Sequence, residues 1–545
     1  MATVEFTLSD LNSLLSQKLT LKQAVDAAAL LGIPTEKAED DTIVFEINPN
    51  RPDWLCVEGI ARSLASFLSL QKGMRTYSFA PAKVECIVDP SFLKARPYAA
   101  AFVARNVKLT DSFLVGMMQL QEKLCDTLGR KRKKISMGAY VLSKLTPPFY
   151  YKAVEPEGLS FVPLDMTEKL SLSQILQEHP KGRLYAGVIR GMQQYPVIVD
   201  SKGDALCLIP ITNGESSKLE PGTSCDLFVE INGTSQASVD DCIAILYAQL
   251  SDRGAAIEQV KFTGALDCTT PAKREREFKV TAAAVEKLLG ISIPLPQMAD
   301  CLSKMGFDAV VQADSAVASV PAYRNDIMAE CDLVEDIGIA YGYQNFAGRQ
   351  PPFATIGAKN PTEAFADLLR ELTCGLGFQD CVTFTLTNES VHYGRMLLEP
   401  SCRVEVGNPL TTETTMVRNT LLPSMLSVLE SNKDQKYPQK LSEVGDVVAI
   451  DPQSPAGCST KKRLCAVIAG KGAGLAEIKS TIEALLKELG FSYTLAPVAA
   501  SFFIPTRGAT IEGQKVHGYF GELHPQVLEN FNLTMPVACF ELWFD

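Results

Sequence analysis

Five carboxylates crowd into the eleven residues from Asp326 to Asp336, with no lysine or arginine among them. The apolar positions Leu333, Val334, Ile337, Ile339, Ala340 and Tyr341 follow a helical stripe. On that helix Asp332, Glu335 and Asp336 stand at i, i+3 and i+4, so they share a face and repel one another. A fold that keeps this helix must therefore supply an offsetting charge or expose the acids to water. From the residues alone two sources stay open. One is a hard cation such as Mg²⁺, which takes carboxylate oxygens and retains waters. The other is solvent, helped by the positive end of the helix dipole.

The grammar around this cluster occurs twice. Near the N-terminus, Asp10 to Leu15 and Leu21 to Leu31 have helical spacing, Gly32 stops the second, and Ile43 to Ile47 reads as a strand. The turn Asn48-Pro49-Asn50-Arg51-Pro52-Asp53 leads into a helix from Val57 to Leu68. Later, Val280 to Leu289 and Met298 to Met305 are helical, Ala316 to Val320 is a strand, Pro321 to Asp326 a turn, and Leu333 to Tyr341 a helix. Arg51-Pro52-Asp53 aligns with Arg324-Asn325-Asp326, and Val57-Glu58-Gly59-Ile60-Ala61 with Val334-Glu335-Asp336-Ile337-Gly338. The second copy has four extra residues, about one helical turn, before its helix. That insertion brings Glu330 and Asp332; Glu330 is expected to face solvent.

The stretch between the copies is mixed α/β. Thr167 is a candidate cap of a short helix, Ser171 to Leu176 is helical, and His179-Pro180-Lys181-Gly182 ends it. Val197 to Asp200 and Ala205 to Ile209 form a hairpin, Leu227 to Ile231 a strand, and Val239 to Leu250 a helix. After Gln350-Pro351-Pro352 come helices at Thr362 to Leu376 and Leu421 to Leu429. Strands are expected at Val382 to Leu386, Arg403 to Val406, Gly445 to Ile450, Arg463 to Ala469 and Cys539 to Phe544. Strands joined by turns with helices clustered point to a largely antiparallel sheet.

The net charge of −11 argues against a broad nucleic-acid-binding surface, so any such contact is local or supplied by another subunit. Arg130, Lys131, Arg132, Lys133 and Lys134 form one candidate patch, read equally as phosphate contacts or as a solvated turn. Lys273, Arg274 and Arg276 alternate with Glu275 and Glu277, the pattern of a surface linker. Fifteen scattered cysteines without a CxxC pair, and only four histidines, argue against zinc and against a disulfide framework. No apolar run is long enough to span a membrane, and no signal layout opens the chain, so a cytoplasmic protein with reduced thiols is expected. Gly470 to Gly474 follows a strand and opens a helix, but lacks the GK[ST] ending of a phosphate loop. Compared with GxGxGxxR, its arginine position is Glu477, an acid that would repel a triphosphate. His179 and His524 have no evident catalytic partner and are read as structural, His524 capping a turn.

Several of these runs resemble the beta subunit of phenylalanine–tRNA ligase. They are Val320 to Asp326 with Asp332 to Asp336 and Ala340 to Tyr343, together with Asn48 to Asp53, Phe161 to Leu164, Glu178 to Gly182, Ser442 to Asp446 and Gly521 to Pro525. They occur in the family's order over nearly the whole chain, and the length resembles the shorter archaeal or eukaryotic type. The resemblance implies an α+β multidomain chain: a helix–strand module at 1–82, an editing-type domain at 83–265, an acidic-cluster module related to the first at 266–348, and a class II synthetase-like antiparallel module at 349–545 that lacks the active site. It implies an (αβ)₂ heterotetramer whose alpha subunit binds ATP and phenylalanine and charges tRNA. It also implies Mg²⁺ held by Asp326, Asp332, Glu335 and Asp336. The editing domain is expected to hydrolyse mischarged Tyr-tRNA in a pocket around Pro210 to Glu215 and Gly233 to Ser235, with Asn213, Glu215, Thr234 and Ser235 as candidates. Ser235 departs from the family, which has an acid there. Two other readings are a free-standing tRNA-binding or deacylating relative of that subunit, and a nucleotide-dependent enzyme using Gly470 to Gly474.

Overall fold

The computed structural model describes residues 2–274, 276–348 and 350–545, in two units, Met1–Gln350 and Pro351–Asp545. The first unit contains the repeated grammar as repeated topology. Strands Ala2–Thr7, Thr35–Glu39 and Thr42–Ile47 pair antiparallel in the order first, third, second. Strands Arg276–Thr281, Asp308–Val311 and Ser315–Val320 do the same. In each copy two helices separate the first and second strands: Leu8–Ser13 and Leu21–Leu30, then Ala282–Leu289 and Leu295–Lys304. A threonine ends each first strand and caps the next helix. The Thr7 hydroxyl accepts from Asp10 N at 3.1 Å, and that of Thr281 from Ala284 N at 3.1 Å. The closing helices are Val57–Phe67 and Glu330–Tyr341.

The Arg-X-Asp element folds the same way in both copies. Arg51 Nε and Nη2 donate to the two Asp53 carboxylate oxygens at 2.9 and 2.8 Å, and the guanidinium lies 3.6 Å above the Trp54 ring. Arg324 grips Asp326 at 2.9 and 2.7 Å and lies 4.7 Å above Phe307. The copies diverge one helix later. Gly59 packs so close that a Cβ there would sit 1.7 Å from the Asp53 carbonyl oxygen. The aligned residue in the second copy is Asp336, which reaches Arg324 Nη2 at 2.5 Å. One extra turn in the second copy accompanies the exchange of a glycine in tight contact for a buried carboxylate.

Between the modules runs a ten-stranded mixed sheet. Phe79–Val88 pairs in parallel with Ala256–Gly264 and Phe149–Val154, and the remaining pairs are antiparallel. Helices Asp111–Asp126 and Gln236–Asp252 cover one face, and their core is continuous with those of both small modules. Ile135–Val141 lies at one end of the strand order, beside Thr223–Gly233. The hairpin expected over Val197 to Ile209 is present. Two local expectations are corrected. Thr167 caps no helix, and His179 does not merely end one: it caps a second helix, Pro180–Tyr185.

The second unit is a seven-stranded sheet in which Gln439–Ile450, Cys458–Ala469, Val537–Phe544, Val516–Leu523, Phe503–Gly513 and Tyr493–Pro497 are neighbours in that order, all antiparallel. Helices Pro361–Gly375 and Leu475–Glu488 carry one core, and Leu422–Ser431 with Pro525–Asn530 another. The expected strand at Val382 to Leu386 shrinks to Leu386–Thr387, paired with Met416–Val417. Arg403 to Val406 keeps one bridge, Glu405 to Met416.

Because Arg324 is the fully buried partner of two carboxylates, Arg324→Gln is expected to lower unfolding stability by about 3–5 kcal/mol in denaturant titrations, and adding Asp336→Asn should recover part of the loss.

Candidate functional site

The sequence drew attention first to the acidic helix. Its five acids do not share a face turned to one point. Asp326 and Asp336 both pair with Arg324, at 2.7 and 2.5 Å. Asp332 reaches back over the helix start, its Oδ2 accepting from Met328 N at 2.7 Å and Ala329 N at 2.8 Å. Glu335 is exposed. Glu330, expected in solvent, instead accepts from the backbone N–H and hydroxyl of Thr281 at 2.7 and 2.8 Å and ties the helix to its module. Burial pushes the Asp326 carboxyl up, but Arg324 outweighs it and holds the group below its ordinary value. At Asp336 burial wins and the carboxyl is raised. Among the described residues no group of three or more His, Cys, Asp or Glu is arranged to hold a metal ion. Of the four carboxylates that the resemblance assigns to Mg²⁺, Asp326 and Asp336 pair with Arg324, Asp332 accepts at the helix start and Glu335 is exposed.

The glycine turn is also occupied. Gly474 precedes helix Leu475–Glu488, and the carboxylate of Glu522 accepts from Leu475 N at 2.7 Å and from Arg507 at 2.9 Å. An anion thus already sits where a nucleotide phosphate would dock. Glu477 pairs with Lys440 at 2.9 Å. The structure gives Gly470 to Gly474 the role of a helix start. His524 accepts from Gln526 N at 3.1 Å as the cap of Pro525–Asn530, as expected of it. His179 does the same for Pro180–Tyr185, with Nε2 3.1 Å from the Leu164 carbonyl.

The cavity with chemistry lies in the ten-stranded sheet, beside strand Ile135–Val141. It has a volume of about 190 Å³, and its apolar wall includes Leu114, Met117, Met137, Ile209 and Ile211. At its polar end is Glu230, a carboxyl only 2% exposed. Strand alternation sets this geometry. Glu230 and Asn232 are two residues apart on Thr223–Gly233 and point the same way, and Ser136 is the cross-strand partner of Asn232. The Ser136 hydroxyl donates to Asn232 Oδ1 at 2.8 Å, and Asn232 Nδ2 donates to Glu230 Oε2 at 2.8 Å. The Tyr140 hydroxyl lies 3.2 Å from Asn213 Oδ1 and 3.4 Å from Glu230 Oε1. Gly138 makes room for it: a Cβ there would sit 2.2 Å from the Tyr140 oxygen. Burial raises the Glu230 carboxyl to about 7, against the pull of Asn232, Tyr140 and Arg96. It changes charge near neutral pH.

Of the run of five cations, Arg132 turns out to be part of this wall. Arg130, Lys131 and Arg132 all have positive φ, a tight turn that swings Arg132 inward. Arg132 Nη1 donates to the Pro210 and Ile211 carbonyls at 2.9 and 3.0 Å, Nη2 donates to Glu122 at 3.0 Å, and the guanidinium covers Tyr185 at 4.2 Å. Arg96, also buried, donates to the Lys133 and Arg132 carbonyls at 3.1 and 3.0 Å and fastens the same turn.

Of the four sequence candidates, Asn213 lines the cavity and accepts from Tyr140. Glu215 is not in the wall; it accepts from Asp165 N at 2.7 Å and pairs with Lys218 at 3.4 Å, holding the neighbouring loop. Thr234 is exposed, and Ser235 stands at the start of helix Gln236–Asp252 without a side-chain bond to its backbone, accepting from the Ser238 hydroxyl at 3.2 Å. The strand has left the cavity by Gly233. Glu230 was missed, although a lone acid within the buried apolar run Leu227 to Ile231 was the signal that could have found it.

Glu230 ionises near pH 4.5 when unfolded and near 7 when folded, so its contribution to stability is full below about 4.5 and is lost as pH rises through about 7. Glu230→Gln should flatten that loss, roughly 3 kcal/mol between pH 4 and 8.5, in unfolding titrations against pH.

Comparison with known proteins gives one consistent answer. Residues 349–544 match the Phenylalanyl tRNA synthetase beta chain CLM domain, and residues 278–343 the tRNA synthetase B5 domain. A phenylalanine–tRNA ligase beta subunit from Archaeoglobus fulgidus is 39% identical over 94% of this chain and 93% of its own length. One from Methanosphaera stadtmanae is 34% identical over the full length of both. A crystal structure of an N-terminal fragment of the phenylalanyl-tRNA synthetase beta subunit from Pyrococcus horikoshii superposes with a TM-score of 0.60 at 29% identity, covering 62% of this chain and 99% of the fragment.

Proposed function

The chain belongs to the phenylalanine–tRNA ligase beta-subunit family, a family of ligase subunits, and we propose that it joins an alpha subunit in an (αβ)₂ ligase and hydrolyses Tyr-tRNA in the Glu230 cavity. The observation that carries the hydrolytic reading is a buried carboxyl at the end of a cavity with an apolar wall of Leu114, Met117, Met137, Ile209 and Ile211. Tyrosine differs from phenylalanine by one hydroxyl. An apolar pocket rejects an added hydroxyl only about a hundredfold, whereas a site built to bind a hydroxyl rejects the analogue without it far more strongly. Ionised Glu230 accepts a hydrogen bond from a phenol; a phenylalanyl ring would offer that buried carboxylate no further donor. Asn232 and Ser136 fix the carboxyl on one side and Tyr140 on the other, so its position is set before the ligand arrives. The acid missing at Ser235 is therefore supplied from within the strand.

The alpha-subunit reading draws on the second unit. Val382 is 90%, Phe384 89% and Leu410 99% exposed, an apolar surface of the kind that partner chains cover. The N-terminal edge of the sheet is short there, paired only through Gln379–Asp380. On this reading ATP and phenylalanine are bound by the alpha subunit, which fits the closed helix start at Glu522. Cytoplasmic residence belongs to the same proposal. Among the described residues no helix is long and apolar enough to cross a membrane.

Mixing the chain with a candidate alpha subunit and assaying both charging and Tyr-tRNA hydrolysis tests the two parts together. The chain alone should charge no tRNA. Glu230→Gln should cut the preference for Tyr-tRNA over Phe-tRNA by on the order of tenfold to a hundredfold, and the wild-type preference should grow from pH 6 to 8 as Glu230 ionises. Phe384→Asp should weaken co-elution with the alpha subunit while leaving hydrolysis by the cavity intact; full retention of the complex would count against that surface.

A further inference from the structure

A second cavity, of about 280 Å³, opens in the same unit and shares no lining residue with the first. Four stretches build it: 74–77 with Phe79, Tyr247 of helix Gln236–Asp252, Lys273, Arg274, Arg276 and Glu277 at the start of the second module, and 319–323 at the end of its central strand. The sequence pattern placed Lys273, Arg274 and Arg276 on a surface linker. Arg274 and Arg276 are instead half-buried in this wall, and Glu275 lies outside the described residues.

The described lining carries Arg75, Lys273, Arg274 and Arg276 against one carboxylate, Glu277. Acids outside the lining pair with two of the four cations, Arg75 and Arg274. Asp252 alone serves both Arg62 and Arg75, at 2.8 and 2.7 Å. Arg274 pairs with Asp240 at 3.8 Å and with Asp241 at 3.4 Å. Arg276 donates to the main-chain carbonyls of Ile327, at 3.1 Å, and Arg324, and among the described residues it makes no ion pair. Burial and the adjacent Arg274 hold its guanidinium below the ordinary value, against the pull of Asp241 and Asp326. The other lining is aromatic. Phe79 and Tyr247 meet edge to face at 5.0 Å, Tyr247 and Tyr77 at 5.6 Å, and Tyr77 and Tyr323 at 6.3 Å.

Arginine forks match phosphate oxygens, and aromatic rings accept a base by stacking or edge contact. We propose that this cavity binds one nucleotide, its phosphate against Arg75, Arg274 and Arg276 and its base against the tyrosine rings. In a chain of net charge −11 this is a local concentration of cations beside several rings. The proposal does not rest on the hydrolytic reading of the Glu230 cavity. The ligand is either a free nucleotide or one residue of an RNA strand, and the chemistry of the two is shared.

Calorimetric titration of the full chain with AMP, adenosine and inorganic phosphate tests the assignment. AMP should bind more tightly than either fragment. Lys273→Glu, at an exposed rim position, should weaken AMP about tenfold or more with an unchanged thermal unfolding profile. Arg276→Gln should act likewise, and if it unfolds the chain the Lys273 variant decides alone. Absence of AMP binding, adenosine binding as tight as AMP, or AMP affinity unmoved by Lys273→Glu overturns the proposal. Displacement of AMP by tRNA identifies an RNA residue as the occupant; failure to displace it identifies a free nucleotide.

Discussion

The first unit depends on buried charges that neutralise one another. Arg51 with Asp53, and Arg324 with Asp326 and Asp336, are formed by the same three-residue element in two copies of one module. Each set lies in the field of the other: Asp53 raises Arg324, and Arg51 lowers both Asp326 and Asp336. A buried ion pair adds little over an apolar packing of the same shape, but removing one partner is costly. Such an array fixes register more than it adds stability. It requires the two modules to meet in one orientation, and the hydrophobic core that joins them runs on into the helices behind the ten-stranded sheet.

That shared core explains how the unit carries two cavities with different chemistry. Helix Gln236–Asp252 packs its apolar side into the common core and ends at Asp252, which takes Arg62, Arg75 and Tyr77. One stretch of chain thus holds the first module against the sheet and shapes the cation-lined cavity. At the edge of the same sheet, the paired strands Thr223–Gly233 and Ile135–Val141 hold Glu230, Asn232 and Ser136 in one hydrogen-bonded line. The first cavity joins an apolar wall to a buried acid; the second is lined by cations and aromatic rings. Neither charge pattern is visible in the net charge of the chain.

Much of the local structure was legible. Helical periodicity located the helices ending near Leu31, Phe67, Lys304 and Tyr341, and the repeated spacing around Arg-X-Asp marked the second module. Short exposed strands were missed. Thr35–Glu39 and Asp308–Val311 are largely exposed and carry no apolar alternation to read. The resemblance led to the correct family and to the region of the first cavity, but not to its polar end. Ser235 and Glu215 attracted attention by their position in familiar motifs, while Glu230 sat unremarked inside a hydrophobic strand.

The sequence by itself determined the elements, the repeat and the membership in a family, because periodicity, caps and motif spacing are local properties of the chain. Tertiary structure alone decided what the charges do. Arg324 turns two suspected ion ligands into its own partners, Glu522 fills a helix start that resembled a phosphate loop, and Arg276 turns from a linker residue into the wall of a cavity. The physical reason is that electrostatic energy depends on burial and on neighbours distant in sequence, and a one-dimensional pattern specifies neither.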